Sequence, residues 1–172
     1  MPDPQTIPTV DSVDQVREIV RHGKYAPLGN RGFGATRRDC WGQEADPNLT
    51  MPEMLAAHNR ETLLIPQCET VGCLEHIEEI TALDGVDGIF IGPFDLSIAL
   101  GIPGQLESPE FIAAITKVLN ACKKSGKQSF IFAKTTESAR CYLDMGFDSA
   151  TYGMDISVLM DAVHRDIQEI KR

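Results

Sequence analysis

The chain has 172 residues, of which 42% are hydrophobic and 24% are charged, close to the averages of globular proteins. This length suffices for one domain over residues 1–172 that buries roughly two thirds of the surface exposed by the unfolded chain. The net charge of -9 at pH 7 disfavours nucleic acids and anionic membranes, because phosphate binding depends on clustered Lys and Arg, and it favours a small-molecule ligand.

Short elements and a long loop are predicted for the first third of the chain. Residues 7–10 predict the stub of a strand, and Asp11 or Ser12 caps a helix that ends near Gly23. Residues 24–48 contain several glycines and arginines and the single tryptophan, Trp41, with little periodicity. We expect a long ordered loop there, of the kind that is usually functional when it is not disordered. A short helix over residues 51–58 follows.

Strands and helices alternate through the remainder of the chain. Strands are predicted over residues 63–69, 89–93, 128–133 and 149–155. One helix is predicted between the first two of these strands, and later helices begin after Ser108, at Thr136 and at Ile156. We expect Asp155 to cap the last helix, and Phe130 and Phe132 to form part of an alternating core pattern.

This alternation, without hairpin signals, predicts a parallel sheet whose strands are joined by right-handed crossovers. The pattern contains four clear strands and one stub. An open doubly wound α/β sheet and an incomplete (β/α)₈ barrel both fit it. Periodicity alone does not separate the two architectures.

Two acids follow neighbouring predicted strands at their carboxyl ends. Glu69 ends the strand over residues 63–69, and Asp95 follows the strand over residues 89–93. The carboxyl ends of parallel strands form the ligand crevice of α/β folds, and magnesium or manganese prefers a few carboxylates together with water and substrate oxygens. The pattern therefore predicts a divalent-metal site, with ordinary surface acids as the alternative.

The cysteines predict a reducing compartment. They are odd in number and scattered, and most lie in apolar patterns, so we expect buried thiols at Cys40, Cys68, Cys73, Cys122 and Cys141. The N-terminal residues do not resemble a signal peptide, and no apolar run approaches the roughly 18 residues of a membrane span. A cytoplasmic location is expected.

Two residues near the predicted site have alternative roles. Cys68 lies between Gln67 and Glu69 in a strand, so its side chain is expected to point away from both and to be buried rather than reactive. Arg31 has two possible roles in the long loop. It lines the mouth of the pocket, or it holds the loop in place through a carboxylate.

Several segments are similar to the signature segments of the HpcH/HpaI aldolases, and they occur in the same order. They are Tyr25-Ala-Pro-Leu-Gly-Asn-Arg-Gly32, Gln67-Cys-Glu-Thr70, Gly85-Val-Asp-Gly-Ile-Phe-Ile-Gly-Pro-Phe-Asp-Leu-Ser97 with Gly101, and Ala139 through Asp155. The similarity begins at about Ile7 and covers nearly the whole chain. It implies a partial TIM (β/α)₈ barrel, roughly strands 4 to 8 with their helices, in an N-terminally truncated member of the family.

The resemblance implies a class II aldolase, a carbon–carbon lyase that cleaves 4-hydroxy-2-oxo acids to pyruvate and an aldehyde through a metal-stabilised enolate. Glu69 and Asp95 match the family's metal ligands, for Mg²⁺ or Mn²⁺ with Co²⁺ as a further option. Gln67 matches a substrate-contacting position. The implied wall that receives the 2-oxo acid consists of Gly92, Pro93, Phe94 and Asp95.

The resemblance also implies what to expect of catalysis and assembly. Family members take a general-base histidine and an enolate-stabilising arginine from three earlier strands that have no counterpart in this sequence, so no catalytic residue is identified. Two functions stay open: an aldolase, and an impaired aldolase remnant or a module that binds metal and a 2-oxo acid. Family members are commonly hexamers, and we expect a homo-oligomer that uses the apolar stripe from Ile156 to Ile170.

Overall fold

The computed structural model describes residues 3–34 and 48–171, and the strands in these ranges form one parallel sheet. The strands are β1 (Asp3–Ile7), β2 (Thr62–Cys68), β3 (Gly88–Ile91), β4 (Gln128–Ala133) and β5 (Ser149–Tyr152). They lie side by side in chain order, β1-β2-β3-β4-β5, and each neighbouring pair is parallel. A doubly wound sheet reverses its strand order at a switch point, whereas a (β/α) barrel keeps chain order. The strand order therefore confirms the partial barrel and excludes the doubly wound alternative.

Helices connect the strands and cover one face of the sheet. They are α1 (Val13–Gly23), α2 (Met51–Glu61), α3 (Val71–Glu75), α4 (Ile77–Thr81), α5 (Pro93–Ala99), α6 (Pro109–Ser125), α7 (Thr136–Met145) and α8 (Asp155–Ile170). Hydroxyl caps begin α1 and α6, where the Ser12 and Ser108 side chains accept backbone N–H bonds. Gly126 ends α6 in the left-handed conformation, at φ 64°, as its position after the apolar stripe predicts.

Some predicted boundaries are wrong, each for a local reason. The single helix between β2 and β3 is two helices, because His76 leaves the helical conformation and the Lys117 Nζ donates instead to the carbonyl oxygen of Leu74 at 2.8 Å. The strand predicted to reach Pro93 ends at Ile91, since that proline begins α5. Asp155 is the first residue of α8 rather than its cap, which is Met154.

The two faces of the sheet differ in their burial. Alternate residues of the strands point toward the helices, and Cys68, Ile91 and Ile131 are fully buried in that core. Strand register places Gln67, Phe90 and Phe130 together on the opposite face, where each is half-buried. The expected alternation in β4 is therefore real, but its buried members are Ser129, Ile131 and Ala133, while Phe130 and Phe132 belong to the less covered face.

A Gly-x-Asp turn precedes two of the strands. In each turn the glycine has positive φ, 89° at Gly85 and 100° at Gly146. The aspartate two residues later then bonds back to the preceding strand. Asp87 Oδ2 accepts from the Leu64 N–H at 2.8 Å, and Asp148 Oδ2 accepts from the Ser129 N–H at 2.8 Å. This repeated turn fixes the amino ends of β3 and β5.

A buried lysine joins the amino end of the sheet at one of these turns. Lys24 is 1% exposed, and its Nζ donates to the carbonyl oxygens of Asn59, at 2.9 Å, and Thr62. The same Nζ pairs with Asp87 Oδ2 at 2.8 Å. The predicted loop thus begins with a tightly held residue, while Trp41 lies outside the described residues.

The C-terminal helix is the least covered element of the fold. No residue of α8 is buried, and its exposed apolar side chains include Ile156, Leu159, Val163, Ile167 and Ile170. Across residues 3–34 and 48–171, no helix is long and apolar enough to cross a membrane.

We predict that Asp87→Ala lowers the free energy of unfolding by about 3 kcal/mol, because it leaves the buried Lys24 ammonium without its counter-charge. Asp148→Ala is the control, since it removes the equivalent turn hydrogen bond, together with one from the Ser129 hydroxyl, without stranding a cation. About 1–2 kcal/mol is expected for it. Urea unfolding of both variants measures the difference. Equal losses would show that the buried cation adds nothing to the turn.

Candidate functional site

Glu69 is a buried carboxylate at the carboxyl end of β2. It follows the last residue of the strand and is 7% exposed. Its Oε1 accepts a hydrogen bond from the Thr9 N–H at 2.7 Å, and its Oε2 accepts one from Gln67 Nε2 at 2.5 Å. An ionised carboxylate has about four lone-pair positions, so these two bonds leave acceptor capacity on both oxygens.

Gly92 lies directly beside this carboxylate. The parallel register pairs Cys68 with Ile91, so the residues that follow them, Glu69 and Gly92, leave adjacent strands side by side. A Cβ at Gly92 would lie 2.7 Å from Glu69 Oε2 and 2.8 Å from Gln67 Nε2. The φ of Gly92 is −89°, which any residue can adopt, so the glycine contributes space and not conformation: a Cβ there would displace the ends of the Glu69 and Gln67 side chains. Gln67, Glu69 and Gly92 therefore form one cluster.

Asp95 is presented by a helix and not by a strand end. It is the third residue of α5, whose N-cap is Gly92, and its side chain is exposed. Within the described ranges its carboxylate has no hydrogen bond or ion pair. The predicted position therefore needs correction, because the chain turns into α5 at Pro93. Asp95 nevertheless lies within one helical turn of the glycine that contacts Glu69.

The donor set of this cluster fits a hard divalent cation. Carboxylate oxygens are the ligands that Mg²⁺ prefers, and Mg²⁺ usually takes only one or two of them and keeps several waters. Gly92 also keeps the space beside Glu69 Oε2 clear of a side chain. In the part of the chain that the structure describes, no group of three or more His, Cys, Asp and Glu side chains is arranged to hold a metal ion. Metal ligation by Glu69 and Asp95 stays a prediction.

Arg31 lies at the opposite end of the sheet from Glu69. It lines a cleft together with Gln5 and Thr62, and Thr62 is the first residue of β2. Its guanidinium carbon lies 5.0 Å from the centroid of the Tyr25 ring. The quadrupole of an aromatic ring attracts a cation placed over its face. Arg31 is therefore not at the mouth of the Glu69 cluster. Within the described residues its guanidinium contacts the Tyr25 ring, and an ion pair with a carboxylate of the loop stays a prediction.

The four histidines also lie away from the cluster. His22 lines the same amino-end cleft as Arg31, and His58 packs edge-on against Tyr25. His76 lies between α3 and α4 beside Glu79, and His164 is exposed on α8. None of them hydrogen-bonds to Glu69 or Gln67 in the described residues.

Cys68 is a core thiol and faces away from the cluster, as predicted. A hydrogen bond with Cys73 and burial both raise its pKa, which disfavours the reactive thiolate. Burial likewise raises the pKa of Cys122 to about 12. The prediction of uniformly buried thiols is wrong for Cys141, which is exposed on α7, while Cys40 lies outside the described residues.

Sequence reasoning missed Thr9 and Thr70. Thr9 donates its backbone N–H to Glu69, and Thr70 Oγ1 donates to the carbonyl oxygen of Val10 at 2.6 Å. Thr70 could have been identified from the sequence, because it directly follows Glu69 in the segment Gln67-Cys-Glu-Thr70. Nothing in the sequence marks Thr9, since its contribution is a backbone group from 60 residues away.

The parallel sheet with its strands in chain order, and the carboxylate at its carboxyl end, place the protein among the (β/α) barrel proteins. Comparison with known proteins identifies the family. The sequence pattern of the HpcH/HpaI aldolase/citrate lyase family matches residues 2–162. The chain belongs to this family.

Two curated relatives illustrate the similarity. The chain is 37% identical over 167 residues to a hydroxypyruvate/pyruvate aldolase of Chromohalobacter salexigens, a match that covers 96% of this chain and 63% of that protein. It is 32% identical over 167 residues to a 5-keto-4-deoxy-D-glucarate aldolase of Klebsiella pneumoniae, covering 96% of this chain and 62% of the relative. The chain therefore spans about three fifths of the length of these relatives.

Solved structures show the same fold. An HpcH/HpaI aldolase from Desulfitobacterium hafniense superposes with a TM-score of 0.86 at 30% identity, over 98% of this chain and 64% of that one. The citrate lyase beta subunit from M. tuberculosis, complexed with oxaloacetate and magnesium, superposes with a TM-score of 0.54 at 18% identity, over 88% of this chain and 56% of that one. The second likeness shows the fold alone.

We predict that Gly92→Ala displaces the ends of the Glu69 and Gln67 side chains without unfolding the sheet. The added methyl group would lie 2.7 Å from Glu69 Oε2 and 2.8 Å from Gln67 Nε2. Both atoms end flexible side chains, so they can move at a cost of about 1 kcal/mol or less, at the low end of overpacking. The crystal structure of the variant locates the two side chains, and urea unfolding measures the loss. Gly32→Ala is the control, because a Cβ there meets no atom within 4 Å and its φ is not positive. Glu69 and Gln67 side chains that keep their positions in Gly92→Ala would contradict the close packing of the cluster.

Proposed function

We propose that the chain is a carbon–carbon lyase of the aldolase type, which cleaves 4-hydroxy-2-oxo acids to pyruvate and an aldehyde. The observation that carries the proposal is the Gln67, Glu69 and Gly92 cluster at the carboxyl end of the sheet, where α/β barrels carry their active sites. Relatives at 32 to 37% identity are named as aldolases, which supports the same reaction class here.

The proposed metal ligands are Glu69 and Asp95. Bound there, Mg²⁺, Mn²⁺ or Co²⁺ supplies a Lewis acid that offsets the negative charge of an enolate. Glu69 arrives with both oxygens already hydrogen-bonded, which fixes the carboxylate before a cation binds. Asp95 is exposed and free to turn toward a ligand.

The proposed 2-oxo acid subsite uses Gln67 and the start of α5. The Gln67 side chain presents an amide, and its Nε2 already donates to Glu69. Pro93 has no N–H, but the N–H groups of Phe94 and Asp95 belong to the first helical turn, where the helix offers no carbonyl partner. These donors suit the carboxylate of a 2-oxo acid. Gly92 keeps the approach to both groups open.

The proposed reaction also needs a side chain that transfers a proton. None of its four histidines lies beside Glu69 in the described residues, and loss of a positioned base commonly removes a factor of about 10² to 10⁴ in rate. We therefore propose slow turnover by this chain by itself. A module that binds the cation and the 2-oxo acid without turnover is the second outcome that the experiment below distinguishes.

We predict that the protein releases pyruvate from a 4-hydroxy-2-oxo acid only when Mn²⁺ is present, and that Glu69→Gln lowers the rate at least about 100-fold, because it removes the proposed ligand charge. Coupled lactate dehydrogenase measures the pyruvate. The control is Glu75→Gln, a change of the same kind on α3 away from the cluster, which should leave the rate unaltered.

The outcomes separate the two functions. Pyruvate release that survives chelation of all divalent metal would contradict the metal-dependent mechanism. Mn²⁺-dependent binding of pyruvate without any turnover would replace the aldolase proposal with the binding module.

We also propose that the protein is a homo-oligomer whose subunits meet through α8. The helix exposes an apolar stripe along its whole length, and such patches mark interaction sites. Leu159→Glu places a charge in that stripe and should dissociate the oligomer, as measured by light scattering after size exclusion. Gln168→Glu adds the same charge among polar side chains and should leave the mass unaltered. A monomeric mass for the unaltered protein would contradict the proposal.

A further inference from the structure

The loop that follows β1 packs closely against the turn that carries Glu69. Residues 8–12 form the first segment and residues 69–72 the second, and three separate contacts join them. These contacts are the Thr9 N–H to Glu69 Oε1, the Thr70 Oγ1 to the carbonyl oxygen of Val10, and the approach of Gly72 to Asp11. All three lie at the carboxyl end of the sheet.

Thr9 has a backbone conformation that its side chain disfavours. Its φ is 52°, and it is the one non-glycine residue with positive φ in the described ranges. A β-branched residue in this region is a true outlier, and such residues concentrate at functional sites where surrounding contacts hold them. At Thr9 the conformation coincides with a 2.7 Å hydrogen bond from its N–H to the Glu69 carboxylate.

Thr70 supplies the contact that holds this loop. Its hydroxyl donates to the carbonyl oxygen of Val10 at 2.6 Å, directly after Thr9. Thr70 Oγ1 also accepts a hydrogen bond from the Cys73 N–H at 3.0 Å and so caps α3. The side chain of Thr70, the residue directly after Glu69, therefore links the start of α3 to the loop whose Thr9 N–H donates to Glu69.

Gly72 sets how closely the two segments approach. A Cβ at Gly72 would lie 2.3 Å from the Asp11 carbonyl oxygen and 2.5 Å from Asp11 Oδ1. Gly72 lies within α3, where helix propensity by itself would favour alanine. The glycine is therefore explained by the packing of the loop against it.

We propose that Thr9, Thr70 and Gly72 form a clamp that fixes the orientation of the Glu69 carboxylate for a divalent cation. The inference builds on the proposed function and extends it by assigning these three as positioning residues. The Thr9 N–H occupies one lone pair of Oε1, and Gln67 Nε2 occupies one of Oε2, so the carboxylate cannot rotate without losing a hydrogen bond. Partners that orient metal ligands commonly contribute 10- to 100-fold to metal affinity.

The test compares Thr70→Val, which keeps the shape and removes the hydroxyl, with Thr70→Ser, which keeps the hydroxyl. In Thr70→Val the Mn²⁺ affinity should fall about 10-fold, and Thr70→Ser should retain it. Paramagnetic titration of the intact chain measures the affinity. In metal-free protein, hydrogen exchange of the Thr9 amide, followed by NMR, should be about 10-fold faster in Thr70→Val than in the unaltered protein.

Gly72→Ala provides a second route, because its methyl group displaces the loop while the hydroxyl of Thr70 stays. It should weaken Mn²⁺ binding and speed Thr9 exchange in the same direction. Equal Mn²⁺ affinity in the unaltered protein, Thr70→Val and Gly72→Ala would overturn the clamp, as would equal losses in Thr70→Ser and Thr70→Val. Absence of Mn²⁺ binding by the unaltered protein would instead overturn the proposed metal site.

Discussion

The parallel pairing of β2 with β3 is the constraint on which the site depends. It sets Cys68 opposite Ile91, so that the chain leaves both strands at the same level and Glu69 emerges beside Gly92. A register shifted by one residue would turn Glu69 toward the other face of the sheet, since side chains alternate along a strand. The buried aliphatic residues on the helix side fix this register, because the shift would expose them. Core packing therefore determines where the carboxylate lies.

Much of the fold follows from local patterns. Alternating strand and helix signals predicted four of the strands within a few residues. The stub predicted over residues 7–10 is misplaced, because β1 spans Asp3–Ile7 and the residues after it form a loop. Ser108 and Gly126 marked the ends of α6 because capping is a local interaction. The choice between barrel and doubly wound sheet depended on the order of strands in space, which no local pattern contains. The break at His76 likewise depends on Lys117, a residue of another helix.

The candidate site likewise has a part that the sequence predicts and a part that it does not. Gln67, Glu69 and Gly92 were predictable, since each lies at or just beyond the end of a clear strand and within a recognisable segment. Thr9 was not, because it acts through its main chain. At the amino end of the sheet, outside the site, the burial of Lys24 was not predictable either, because its partners lie 35 to 63 residues away along the chain. Contacts of this length are visible only in three dimensions.

The two Gly-x-Asp turns stabilise the sheet at the end opposite to Glu69. Their aspartate side chains hold the amino ends of β3 and β5 through hydrogen bonds to the preceding strands. The loops at the carboxyl ends are therefore not needed to fix these strand ends. In barrel enzymes, variation of such loops is what changes the chemistry. Evolvability follows from this separation: substitutions around α5 and the β1–α1 loop can reshape a ligand site while the frame beneath them keeps its stability.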